Sequence, residues 1–178
     1  MTPKQIKAMD GTTNAFSRQF SSLNLCFNNG HPAFLLLQIP LPRLELVIDR
    51  LIRVENVRYF YVGGYGGFDR IAAAAAKRAK QKYPDITLML VLPYHPAERA
   101  VPTPNGFDGT YHPEGLENTP RQYAIVRTNQ IMVDSCDWLL CYVRHGASNS
   151  RNLLEYAQRR EEKGLIQMII IGESEEEK

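Results

Sequence analysis

One stretch restricts the fold more than any other. Val57-Arg58-Tyr59-Phe60-Tyr61-Val62 runs directly into Gly63-Gly64-Tyr65-Gly66-Gly67, and an alanine-rich segment follows from about Phe68 to Lys82. The first six residues are mostly β-branched or aromatic, which suits a strand. Glycine permits the sharp turn that would follow. The five consecutive alanines have the best intrinsic helix propensity and let a helix lie close to a sheet. Strand, glycine turn and helix in immediate succession predict one half of a βαβ unit. The amides at such a junction can bind an anion at the helix N-terminus. The spacing is neither the usual dinucleotide fingerprint nor a P-loop ending in Lys and Ser/Thr. A tight turn needed only for helix–sheet packing is the competing reading.

The same alternation extends along the chain. Leu23–Phe27 predicts a first short strand, ending in the turn signal Asn28-Asn29-Gly30-His31-Pro32. A helix lies within 33–54. Pro40 and Pro42 should delay its clean part to about Arg43, and Leu44, Val47, Ile48 and Leu51 then recur at helical spacing. Ile86–Leu92 is almost wholly apolar, as a central parallel strand covered on both faces would be. Pro93 opens a long loop to about Asn118. A loop of that length is commonly functional or disordered. Thr119-Pro120-Arg121-Gln122 predicts a capped helix start, with Thr119 as cap, Pro120 in the first turn and Gln122 reaching back; that helix should run to about Val133. Asp137–Val143 predicts a strand, 151–163 a helix with Leu153, Leu154 and Ala157 inward, Gly164 its stop, and Ile166–Ile171 a last strand.

This order predicts an α/β fold: a doubly wound, predominantly parallel five-stranded sheet flanked by helices. Residues 1–22 read as an N-terminal arm, 23–172 as a single domain and 173–178 as an acidic tail. The length suffices for one domain with a sizeable core. Apolar residues make up 44% and charged residues 22%, with a formal charge of only +2. The basic residues are scattered, so there is no direct nucleic-acid signal. No apolar run approaches a membrane span, and no basic leader precedes an apolar core, so a cytoplasmic location without membrane contact is expected. The odd set Cys26, Cys136 and Cys141 does not suggest a disulfide scaffold. Cys136 and Cys141 read as buried apolar thiols. No coherent metal-ligand set or Ser-His-Asp order stands out, and no cofactor is expected.

Ligands of doubly wound sheets bind beyond the carboxyl ends of the strands, near the switch point. That rule selects loops 28–32, 63–69, 93–119 and 144–150. Gly63, Gly64, Gly66 and Gly67 carry the strongest local signal, with Gly64, Gly66 and Gly67 expected near phosphate. Asp69 follows at once. It either complements the helix dipole or accepts a hydrogen bond from a ligand hydroxyl or amino group, and its charge disfavours nearby phosphate. His31, beside Gly30, could donate to phosphate or transfer a proton, because imidazole titrates near neutrality; a structural hydrogen bond serves as well. Tyr94 could stack on a base or pack over its loop. Ser148, Asn149 and Ser150 suit an N-cap and could equally grip phosphate. Glu155 could face the cleft as a general base, against the plainer reading of an exposed helical glutamate. Asn129 could hydrogen-bond across from the preceding helix.

At these motifs the sequence resembles the SLOG superfamily, in particular its YpsA-like DUF1273 branch, over roughly residues 23–172. Gly30-His31-Pro32 is similar to the family's Gly-His-Arg turn, with proline in the arginine's place. Gly63-Gly64-Tyr65-Gly66-Gly67-Phe68-Asp69 resembles its glycine-rich segment with a following aspartate, and Leu92-Pro93-Tyr94 its Leu-Pro-Tyr element. Thr128-Asn129 stands where the family has Arg-Asn, before Met132-Val133-Asp134. Ser148-Asn149-Ser150 stands where the family has Gly-Gly-Thr, and these departures resemble those of a divergent member, one of altered specificity or one that has lost activity. The resemblance implies a Rossmann-like fold and a binding or sensing domain for a nucleotide or nucleotide-derived small molecule. Related LOG-type proteins imply an alternative, a hydrolase cleaving an N-glycosidic bond, with His31, Asp69 and Glu155 as its catalytic candidates. A structural or protein-interaction domain is a third reading. The expected partner is a nucleotide-like small molecule, and a homo-oligomer is compatible with this.

Overall fold

The computed structural model describes the backbone of residues 21–26, 41–142 and 148–171, with side chains over 41–142 and 151–171. Among the described residues six strands form one parallel sheet: β1 (Ser21–Cys26), β2 (Val57–Val62), β3 (Thr87–Val91), β4 (Gly109–Tyr111), β5 (Trp138–Cys141) and β6 (Gln167–Ile170). Their spatial order is β4-β3-β2-β1-β5-β6. From β1 the chain steps outward through β2, β3 and β4, then crosses back to place β5 and β6 on β1's other side. β1 therefore joins two blocks, of three and of two strands, through Leu23 opposite Phe60 and Leu25 opposite Leu140.

The expected count of five strands is corrected. The additional strand β4 lies inside the long loop, parallel to β3 at the sheet edge. It comprises only Gly-Thr-Tyr, too short for any alternation to register. Asp108 fastens its start: the Leu88 N–H donates to Asp108 Oδ2 at 2.8 Å, and the Asp108 N–H donates to the Leu88 carbonyl at 2.9 Å. Lys80 on the neighbouring helix reaches the same carboxylate at 2.8 Å.

Four α-helices connect the strands among the described residues: α1 (Leu41–Arg53), α2 (Gly67–Lys82), α3 (Ala124–Ser135) and α4 (Ser148–Glu161). α1 packs on α2, and α3 on α4. α1 begins at Leu41, before the expected Arg43, because a proline in the first turn lacks only an N–H that the helix would leave unpaired. Its inward residues Leu44, Ile48, Leu51 and Ile52 repeat at helical spacing and are buried. On α2 the buried apolar set is Phe68, Ala72, Ala75 and Ala76; the methyl side chains keep that helix close to the strands beneath. Polar ties cross each helix pair. Asp49 of α1 accepts from Lys82 Nζ at 2.5 Å and the Tyr83 hydroxyl at 2.6 Å, which hold its carboxyl down at about 2. Asp134 of α3 accepts from the Tyr156 hydroxyl at 2.6 Å and pairs with Arg160 at 3.0 Å.

The start of α3 also differs from expectation. A 3-10 turn, Arg121–Tyr123, precedes the helix, and no side chain caps either element, Thr119 included. α4 starts at Ser148, earlier than expected, and closes at Gly164. Gly164 has φ +68°, with its N–H bonded to the Glu161 carbonyl and the Leu165 N–H to the Arg160 carbonyl, a Schellman closure. Cys136 and Cys141 are buried thiols, and burial pushes the Cys141 thiol up to about 12. No helix among the described residues is long and apolar enough to cross a membrane.

Candidate functional site

β2 ends where its two neighbours also end, and the chain must leave the sheet there in a tight turn. Gly63 makes that turn possible. A Cβ at this position would stand 2.8 Å from Asp69 Oδ2 and 3.1 Å from Asp69 Cγ, so only a residue without a side chain lets the carboxylate tuck beneath the loop. Asp69 is the third residue of α2. Its Oδ2 accepts from the Tyr65 N–H at 2.9 Å and the Gly66 N–H at 2.7 Å. The aspartate thus fills the anion position that the glycine turn and helix start create.

Above this turn lies a cleft with about 390 Å³ of space, part of it open to solvent. Three elements line it: Gly63, Gly64, Tyr65 and Asp69 from the β2–α2 junction; Val91 and Pro93 from the end of β3; and Ile125, Thr128, Asn129 and Met132 from α3. The α3 residues repeat at i, i+3, i+4 and i+7, so they share one helix face.

Two polar atoms in this lining have no hydrogen-bond partner among the described residues. Asp69 Oδ1 and Thr128 Oγ1 are buried without a hydrogen bond, in residues only 2% and 3% exposed. Burial outweighs the two amide bonds to Asp69 and pushes its carboxyl up to about 6. An aspartate titrating near neutrality can accept from a ligand when ionised and donate when protonated. At the cleft's rim the Tyr65 ring meets Tyr94 edge-on at 6.0 Å between centroids, and the Arg121 guanidinium lies 5.2 Å from the Tyr94 centroid.

The sequence candidates separate accordingly. Gly63, Gly64, Asp69 and Asn129 come together in the cleft. Tyr94 stands beside it, against Tyr65. Gly66 is buried and its N–H donates to Asp69 Oδ2; Gly67 begins α2 and is not among the residues lining the cleft. Glu155 is exposed on α4, away from the cleft lining. Ser148, Asn149 and Ser150 form the first turn of α4, rather than a loop before it, and their side chains lie outside the described residues. Gly30 and His31 lie outside the described residues as well. Sequence reasoning did not single out Tyr65, Ile125, Thr128 or Met132 as site residues. The available signal was Thr128-Asn129 set between Ile125 and Met132: two polar residues on a helix stripe that otherwise reads as core.

Among the described residues no cluster of three or more His, Cys, Asp or Glu side chains could hold a metal ion. No protein-family model matches the chain, and no curated protein is detectably similar to it.

Proposed function

We propose that this chain is a binding or sensing module for a nucleotide or nucleotide-derived small molecule, built on a Rossmann-like, doubly wound sheet of the SLOG type. The observation that carries the reading is a pair of buried polar atoms with no partner among the described residues, Asp69 Oδ1 and Thr128 Oγ1, in a cleft at the carboxyl ends of parallel strands. Leaving such atoms without partners costs about 1–3 kcal/mol each. A ligand that supplies the missing hydrogen bonds recovers that cost. The apolar walls, from Val91, Pro93, Ile125 and Met132, and the Tyr65–Tyr94 rim suit a flat ring. The cleft lies at the carboxyl ends of β2 and β3, the side of a parallel sheet on which ligands of such folds bind. Calorimetric titration of the folded protein with nucleosides, nucleotides and phosphate-bearing relatives is the test. Saturable binding that Thr128→Val weakens is expected; a folded protein that binds none of them overturns the reading.

The raised carboxyl of Asp69 favours one second reading, hydrolysis of an N-glycosidic bond. A carboxyl near neutrality suits general acid–base work on water or on a leaving base. Incubation with nucleoside monophosphates, followed by mass spectrometry for free base and ribose phosphate, separates the two. Turnover abolished by Asp69→Asn in a folded variant would favour the enzyme; binding without release favours the module. A structural or protein-interaction domain gains if Gly64→Val leaves every ligand response unchanged.

A further inference from the structure

Glycine turns at the head of a helix ordinarily receive phosphate, because free amides and the helix dipole point at it. Here two of those amides, from Tyr65 and Gly66, already bond Asp69 Oδ2. The same corner holds an ionisable carboxylate, which repels a second anion. What the corner lacks is a hydrogen-bond donor. Ionised Asp69 Oδ1 can only accept, and Thr128 Oγ1 can accept or donate. Sugar hydroxyls meet both needs. At the outer end the chemistry is reversed. Arg121 sits over Tyr94, Tyr94 meets Tyr65, and Tyr65 lines the cleft, so a cation stands at the rim in continuous contact with the wall. No carboxylate among the described residues pairs with Arg121. Arginine presents its donors in a fork that matches phosphate oxygens.

We propose that the ligand is a phosphorylated nucleoside bound hydroxyl-first, with its sugar hydroxyls on Asp69 and Thr128 and its phosphate at the rim on Arg121. This rests on the nucleotide-site reading and deepens it, by fixing which end of the ligand goes inward. The glycine turn then serves to seat the aspartate, and the aspartate to read hydroxyls.

Titrating the full chain with the four common ribonucleoside monophosphates, the matching nucleosides and 2′-deoxynucleosides, and inorganic phosphate tests this. Arg121→Gln should weaken the monophosphate about tenfold or more and leave the nucleoside within about twofold, the loss of one charge-assisted contact. Thr128→Val and Asp69→Asn should each weaken nucleoside and monophosphate alike, and removing the 2′-hydroxyl should mimic them. Inorganic phosphate should not displace the nucleoside. The Arg121 side is exposed, so that variant keeps its fold, and circular dichroism checks the other two. Tighter monophosphate binding by Asp69→Asn, with nucleoside affinity unchanged, would place phosphate on the glycine turn and overturn the orientation while leaving the site intact. Wild-type protein that binds neither nucleosides nor monophosphates overturns the site itself, and the orientation with it.

Discussion

Replacing Asp69 by asparagine should stabilise the protein at neutral pH and do nearly nothing in acid. Asparagine keeps a carbonyl oxygen for the Tyr65 and Gly66 amides and approximates the neutral acid in shape. The folded protein holds the Asp69 carboxyl at about 6, against an ordinary value of 3.8. The folded state therefore binds the proton more tightly than the unfolded chain does. The associated stability is fully present below about pH 4 and is lost as pH rises through about 6. Two pH units at roughly 1.4 kcal/mol each give a loss on the order of 3 kcal/mol by pH 7.5. Asp69→Asn escapes that loss. Urea unfolding of both proteins, followed by circular dichroism at pH 4, 5, 6 and 7.5, isolates the effect. Other titrating groups, Asp49 among them, are common to both and cancel in the difference. The variant should match the wild type within about 1 kcal/mol at pH 4 and exceed it by about 3 kcal/mol at pH 7.5. A difference that is flat across the range, or that shrinks as pH rises, refutes the account of Asp69 as a carboxylate held at a cost.

Three further outcomes follow from the packing. Gly63→Ala should cost about 1–3 kcal/mol in chemical denaturation, because the new methyl meets the Asp69 carboxylate; Gly64→Ala, which meets only the movable Leu90 Cδ1 at 3.3 Å, should cost less than half as much. Gly164→Ala should lose roughly 1 kcal/mol in the same assay, since φ +68° is a left-handed conformation that a side chain opposes. Asp108→Ala should cost about 1–3 kcal/mol and speed amide exchange at Leu88 and Tyr111 more than at Phe60, because it takes the side-chain acceptor from the Leu88 N–H and the ion-pair partner from Lys80 at the sheet edge.

Elements whose signal lies wholly within their own residues were legible in the sequence. β2 is bounded as expected, Val57–Val62, because an apolar strand abuts a glycine turn with nothing between. α2 and the Schellman stop of α4 were equally plain, each carried by composition or by one glycine. What escaped depends on partners distant in the chain. β4 exists because Asp108 bonds Leu88 and because β3 offers an edge, and three residues cannot announce that alone. The start of α3 looked like a capping box, yet Pro120 leads into a 3-10 turn and no side-chain cap forms. In the cleft, Gly63, Gly64, Asp69 and Asn129 were legible as residues beside strand ends. Ile125 and Met132 were not, because a helix face turned to a cleft has the same periodicity as one turned to the core.

Asp69 links the fold to the proposed chemistry. As a partner for the Tyr65 and Gly66 amides, an asparagine would serve with no charge to bury, and the turn itself asks for nothing more. The carboxylate brings one capacity beyond that role: a second oxygen that accepts strongly and has no donor among the described residues. A donor from a ligand favours the ionised form and so pulls the carboxyl back toward its ordinary value. Binding at pH 5.5, where much of Asp69 is protonated, must then release a proton, and binding at pH 8 must not. Calorimetry of a bound nucleoside in two buffers of different ionisation enthalpy reads this directly. The apparent enthalpy should diverge between buffers at pH 5.5, converge at pH 8, and show no divergence at either pH in Asp69→Asn. Equal enthalpies in both buffers at pH 5.5 for the wild type would mean that the ligand does not engage the carboxylate.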